Sequence, residues 1–358
     1  MKKIGDIDIN FAEKPVIKDG MIYYNIIKNE NFKIYGLYKP EEGTYKRMPP
    51  EIGENVNDGV KVLYKHTAGG RVRFKTNSQK ITLKCYFPSV GNMSHMPMTG
   101  IMGFDLFADG EYYKTFSPIL YSYEKFCMYE DGKRGYESTI EFPNIKERDI
   151  LINFPLYNPV DEVYIAIEEG AELKKGNEYK YKTPVVYLGS SITQGGCASR
   201  PGNSYQAMLS NWLDTDYINL GFSGSCRGED IMAEYIREIP MSVFVYDYDH
   251  NAPNAEHLRK THERFFLKFR EKQPTTPVIM ISVADKAFGD TIDRRREVIY
   301  ATYKNAVDRG DKNVYFLNGQ DFYREPGFGV CTVDGCHPND IGFYYMAKGI
   351  KEVLKDLL

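Results

Sequence analysis

The sequence predicts an α/β protein in two parts: an N-terminal β-sandwich of jelly-roll type, then a domain built on a five-stranded parallel sheet covered by helices. Three observations lead there. Between residues 20 and 170, short apolar-polar alternations are broken by turn residues, with no long helical pattern. From residue 184 onward, apolar runs at 184–188, 217–220, 243–247, 277–283 and 313–317 alternate with helical patterns. Between these regions, residues 171–183 are polar and charged, which places the domains at 1–175 and 176–358. The same stretch also reads as one crossing strand plus a linker.

In the first part, Val72 and Phe74, then Ile81, Leu83 and Cys85, recur at every second residue around the turn Thr76-Asn77-Ser78-Gln79. That period suits half-buried strands. Phe104–Phe107 and Tyr112–Phe116 flank Asp109-Gly110, a hairpin turn signal. Ile150–Phe154 and Val163–Ile167 complete the set. In the second part, Ser204 is placed to cap a helix carrying Ala207, Met208 and Leu209. Asn254 is placed to cap a longer one carrying Leu258, Phe265, Phe266 and Phe269. Residues 292–307 and 341–357 carry two further helical patterns. Strands alternating with helices make a parallel sheet, whose reactive groups gather at the carboxyl ends of its strands.

Composition narrows the function classes. A net charge of −3 lacks the basic surplus of a nucleic-acid binder. The N-terminal Met1-Lys2-Lys3 is followed by no apolar stretch, so neither a signal peptide nor a membrane span is expected, and a cytoplasmic location follows. The 29 Tyr and 20 Phe suit either sandwich cores or sugar-binding surfaces. Cys85, Cys127, Cys197, Cys226, Cys331 and Cys336 show no CxxC spacing, so no zinc ligation is expected. His257 and His262 sit at i and i+5 on a helical pattern, which does not suit a shared ion.

Two segments carry the chemistry. The run Pro184-Val-Val-Tyr-Leu188 stops at Gly189-Ser190-Ser191-Ile192-Thr193, a strand ending in a turn that presents a hydroxyl. Residue type alone does not choose between Ser190 and Ser191. Near the other end, Asp334-Gly335-Cys336-His337 sets a carboxylate and an imidazole three residues apart in a Gly- and Pro-bounded loop. That spacing lets Asp334 hold one ring nitrogen while the other faces a serine, the parts of a nucleophilic hydrolase. His250, also at a strand end, is a rival base. Asn219-Leu-Gly-Phe-Ser-Gly-Ser225 offers close-approaching backbone amides for an oxyanion, and also an imperfect Gly-x-Ser-x-Gly elbow with Ser223 as a rival nucleophile. Asn251 lies in the loop after the third strand and has an amide to offer. Asp247 and Asp249 lack a third ligand and read as ion-pair partners rather than a metal site.

These segments, in this order, resemble the SGNH (GDSL-type) hydrolase superfamily. The Gly-Asp-Ser block looks like Gly189-Ser190-Ser191, so the resemblance gives Ser191 the nucleophile's role. The oxyanion glycine falls on Gly224 and the oxyanion asparagine on Asn251, with the backbone amide of Ser191 as the remaining donor. The Asp-x-x-His block falls on Asp334 and His337. Ser190 departs from the usual Asp, and His250 and Ala252 depart from the usual Gly and Asp of the third block. The resemblance covers roughly residues 184–357 and implies a flavodoxin-like SGNH catalytic domain. The string from Gly189 to Gly195, followed by Ala198-Ser-Arg-Pro-Gly-Asn203, looks most like two-domain bacterial carbohydrate esterases with an N-terminal β-sandwich.

The expectation is therefore a serine esterase that removes O-acetyl groups from oligo- or polysaccharides of xylan or mannan type. It needs no cofactor, metal, nucleic acid or membrane, and its partner is an acetylated oligosaccharide, with a homo-oligomer possible. Arg200, Asn203 and His250 are candidate substrate contacts. The alternatives are a general short-chain acyl esterase, lipase or thioesterase, and a non-catalytic carbohydrate-binding protein.

Overall fold

A computed structural model describes residues 16–118, 132–284 and 291–358. Cys127 and the N-terminal lysines lie outside the described residues. The first part holds strands β1 (Val16–Lys18), β2 (Met21–Asn25), β3 (Lys33–Tyr35), β4 (Arg71–Thr76), β5 (Lys80–Phe87), β6 (Phe104–Ala108), β7 (Glu111–Phe116), β8 (Arg134–Glu141), β9 (Arg148–Asn153), β10 (Glu162–Glu168) and β11 (Leu173–Lys175). Among the described residues, a 3₁₀ turn at Pro40–Glu42 and three short α-helices interrupt them: α1 (Pro50–Gly53), α2 (Asp58–Leu63) and α3 (Met98–Ile101).

The strands form two antiparallel sheets. One runs β1-β2-β10-β5-β8; the other runs β11-β4-β9-β6-β7, with β3 also paired to β4. Phe74, Leu106, Ile150 and Ile152 of the second sheet and Ile81, Leu83, Val163 and Ile165 of the first are fully buried in one core. The period-2 pattern therefore reports faces pressed together, as a sandwich requires. Residues 76–79 form a corner rather than a hairpin, because β4 and β5 lie in different sheets. Glu168 Oε2 closes it by accepting from Ser78 Oγ and from the amides of Gln79 and Lys80. Asp109 and Gly110 both adopt positive φ, the turn that matches the twist of the β6–β7 hairpin.

Leu173–Lys175 pairs with β4, so the polar stretch contributes a strand to the sandwich. The second part starts at β12 (Tyr181–Gly189), followed by α4 (Ser191–Gln194), α5 (Tyr205–Leu213), β13 (Thr215–Gly221), α6 (Asp230–Ile236), β14 (Val243–Asp247) and α7 (Ala255–Arg270). After these come β15 (Val278–Ile281), α8 (Thr291–Asp308), β16 (Val314–Leu317), α9 (Phe328–Cys331) and α10 (Asp340–Leu354). The five strands are parallel in the order β13-β12-β14-β15-β16. Asn254 caps α7 by accepting from the His257 amide, as its position predicts. Ser204 precedes α5 without capping it; its hydroxyl instead donates to the Pro201 carbonyl. The preceding 3₁₀ turn at Pro201–Asn203 supplies that nearer carbonyl.

The two parts are joined by buried cations. Arg47, in the sandwich half and 1% exposed, donates to the carbonyls of Leu63, His66, Asn219 and Gly221 and lies over the Phe222 ring. Burial without a carboxylate partner pulls its guanidinium down to about 9. Arg200, from the other half, reaches the fully buried Asp105 of β6, which also holds Asn153 Nδ2 and the Gly202 amide. No helix among the described residues is long and apolar enough to cross a membrane.

Candidate active site

The sheet register assembles the site. Gly189, the last residue of β12, pairs with Gly221 on one side and Asp247 on the other. Strand order reverses at β12, so the loops after β12, β13 and β14 emerge side by side from one edge of the sheet.

The first loop presents the serines. Ser190 is buried and accepts from the Ile192 amide, capping the short α4. Ser191, the next residue and 8% exposed, points the other way: its Oγ lies 3.0 Å from His337 Nε2. The tertiary structure thus gives different partners to two residues that residue type alone leaves equivalent.

His337 sits in a tight loop. Thr332 and Pro338 bridge across its neck, the Val333 amide donates to the His337 carbonyl, and Gly335 turns at positive φ. Asp334 Oδ2 accepts from His337 Nδ1 at 2.8 Å, while Oδ1 accepts from the amides of Cys336 and His337. Partial burial raises the Asp334 carboxyl, but these three donors outweigh it and hold the group down at about 2. The carboxylate is therefore ionised throughout the neutral range, and it orients the ring with Nε2 toward Ser191.

The second and third loops supply donors. Gly224 is exposed with φ +66, a backbone that glycine adopts without strain, and its Cα faces open space. Asn251 Oδ1 accepts from the Cys226 amide, and among the described residues no hydrogen bond engages its Nδ2. The neighbouring Ser223 amide donates to Gln194 Oε1.

Four side chains outside the expected site residues, Gln194, His66, Tyr157 and Asp247, position these loops. Gln194 joins the nucleophile's turn to the second loop, and its Nε2 contacts the Leu156 carbonyl and His66 Nδ1 in the sandwich. Burial drives the His66 imidazole down to about 3, so it is neutral. Tyr157 donates its hydroxyl to the Ser191 carbonyl. Asp247 Oδ2 accepts from Thr193 Oγ1 and the Tyr205 hydroxyl beneath the nucleophile's turn. No local signal marks these contacts; only the Gly-Ser-Ser-Ile-Thr-Gln string brought Gln194 into view.

The expected substrate contacts are engaged with protein. Arg200 pairs with Asp105 and lies 3.7 Å from the Tyr112 ring centroid. Asn203 Nδ2 donates to Ser199 Oγ, which in turn donates to Asp340. His250 Nδ1 sits 3.1 Å from Asp249 Oδ1 in a nearly buried position. Asp247 and Asp249 turn to different partners, the latter accepting from the Val283 amide. Ser223 lies beyond the nucleophile's turn, where its amide is held by Gln194.

Burial, with Asp249 nearby, pushes the Asp247 carboxyl up to about 6 from an ordinary 3.8. The folded state then binds this proton more tightly than the unfolded chain. Stability is expected to fall by about 2–3 kcal/mol as pH rises through the window from 4 to 6. Asp334 acts with the opposite sign and in a lower window, below about pH 4. Urea denaturation of the wild type and Asp247→Asn at pH 4.5 and 7 should show the variant lacking that loss.

The fold is that of an ester hydrolase, and its site sets a hydroxyl, an imidazole and a carboxylate in line. Residues 182–355 match the GDSL-like Lipase/Acylhydrolase family, and residues 21–173 match the N-terminus of SGNH-hydro-type esterases. Among solved structures, the chain is similar to a GDSL-like lipase named from Bacteroides ovatus ATCC 8483. They share 28% identity and a TM-score of 0.82, over 94% of this chain and 98% of that one. A salicylyl-acyltransferase from a tetracycline biosynthetic pathway shares the fold at 18% identity and TM-score 0.76, covering 95% and 98%. An acetyl xylan esterase from the rumen bacterium Butyrivibrio proteoclasticus shares it at 13% identity and TM-score 0.59, covering 94% and 98%. No curated protein matches the chain by sequence.

Proposed function

We propose that the protein is a carbohydrate acetylesterase acting through Ser191, His337 and Asp334. The observation that carries this reading is the line of contacts from Ser191 Oγ to His337 Nε2 and from Nδ1 to Asp334. Ser191 attacks the ester carbonyl as His337 takes its proton, and Asp334 stabilises the imidazolium. The amides of Ser191 and Gly224 and the Asn251 Nδ2 receive the oxyanion. His337 then protonates the departing sugar hydroxyl, and a water activated by the same imidazole releases the acid.

A short acyl group is favoured because His95 and Cys197 stand close to His337: a ring nitrogen of each histidine and the Cys197 sulfur lie within 4.8 Å of one another. A sugar ester is favoured by the shared fold with an acetyl xylan esterase. Incubation with acetylated xylan and glucomannan fragments, and with acyl esters of increasing chain length, tests both parts. Acetate release from the sugars should dominate; preference for long acyl chains would overturn the reading.

Asn251→Ala removes one oxyanion donor. The expected loss is about 10²–10³ in kcat with little change in KM, because the interaction forms only in the transition state. A kcat near the wild-type value would exclude Asn251 from that role.

A further inference from the structure

The sandwich contributes more than support. Its loop before α3 carries His95, whose ring centroid lies 5.4 Å from that of His337. From the catalytic half, Cys197 approaches the same point, buried and at φ +76. The three side chains each offer one ligand atom, a nitrogen from each histidine and the Cys197 sulfur, all within 4.8 Å of one another. Among the described residues, no hydrogen bond occupies the His95 ring or the Cys197 thiol.

Two imidazoles and a thiol suit a soft divalent cation such as Zn²⁺, whose Zn–N and Zn–S bonds of about 2.1 and 2.3 Å require ligand atoms roughly 3.5 Å apart. Closing from 4.8 Å takes about an ångström, within reach of rotation of the half-buried His95 side chain. His337 is prepared as a ligand by its second partner. Asp334 holds Nδ1, which leaves Nε2 outward, and a carboxylate on the far nitrogen is the usual support of a zinc-bound histidine.

We propose that His95, Cys197 and His337 form an inhibitory site for a soft divalent cation, which occupies the nitrogen that must accept the serine proton. On binding, the Cys197 thiol releases its proton to solvent and the metal takes the sulfur lone pair; no bond to substrate is made. The inhibitory consequence rests on reading His337 as the base, whereas the metal site does not.

The test therefore measures binding and activity separately. Full-length Ser191→Ala protein titrated with Co²⁺ should show a thiolate-to-cobalt charge-transfer band that Zn²⁺ displaces. Cys197→Ser should abolish the band, and His95→Ala should weaken Co²⁺ binding by about 100-fold. In the otherwise wild-type enzyme, Zn²⁺ should suppress ester hydrolysis and a chelator should restore it. His95→Ala and Cys197→Ser should need far more Zn²⁺ for half inhibition, each normalised to its own metal-free rate. Absence of the band, its survival in Cys197→Ser, or equally strong inhibition by Zn²⁺ in all three proteins would overturn the site. A band without loss of hydrolysis would uphold the metal site and overturn His337 as the base.

Discussion

Ser191→Ala is expected to lower kcat for ester hydrolysis by about 10⁴–10⁶-fold while leaving the fold intact. The hydroxyl contributes little to stability: among the described residues Ser191 Oγ hydrogen-bonds only with His337, and the cap of the turn is made by its neighbour Ser190. The residual rate comes from the oxyanion donors and from binding, which the substitution leaves in place. Ser190→Ala is the matched control. It should cost about 1 kcal/mol of stability through the lost cap and leave most of the chemistry. Burst kinetics with an activated ester check both, since an acyl-enzyme forms only where the nucleophile survives. If Ser191→Ala retained the burst and Ser190→Ala lost it, the nucleophile would be Ser190.

Gly221→Ala is expected to destabilise the protein by about 3 kcal/mol or more and to impair the site that remains. A Cβ at Gly221 would lie 2.1 Å from the Gln194 amide nitrogen and 2.4 Å from the Thr193 carbonyl carbon, both backbone atoms of the nucleophile's turn. Backbone cannot step aside as a flexible side chain can. Either β13 moves from β12 or the turn that carries Ser191 lifts from the sheet. Arg47 resists the first by gripping the Asn219 and Gly221 carbonyls from the sandwich. The turn is therefore expected to move, separating Ser191 from both His337 and Gly224. Denaturant unfolding should show the lost stability, and kcat should fall more than KM rises in the fraction that folds. A variant with wild-type stability and kcat would mean that the close approach is not maintained in solution.

Much of the architecture was legible because the signals are local. Alternation at Ile81, Leu83 and Cys85 reports a face that meets another face, and all three are fully buried. The five apolar runs after residue 184 each became a strand of the parallel sheet, within a few residues at either end. Asp334 and His337 were legible as a pair because three residues in a tight loop can bring their side chains together whatever the rest of the chain does. Ser204 misled because a capping residue can find a nearer partner, here the carbonyl of its own 3₁₀ turn. The protein partners of Arg200 and Asn203, Asp105 and the Ser199–Asp340 pair, were not legible because they come from distant or locally folded segments that the sequence does not mark.

The sequence by itself determined the five strands of the parallel sheet, the loops that carry Ser190-Ser191 and Asp334–His337, and the likeness to the GDSL-like hydrolases. Each of these follows from spacing over a few residues, or from short motifs in order. Only the tertiary structure showed that Ser191 rather than Ser190 meets the imidazole, because that contact depends on which hydroxyl the capped turn aims at a histidine 146 residues away. It alone brought His66, His95, Tyr157 and Gln194 to the site, and set Gly189 level with Gly221 and Asp247. The physical reason is the same in each case: these contacts are made between elements that meet only when two domains pack and a parallel sheet takes its register, and that free energy is spread across the whole core rather than written in any one segment.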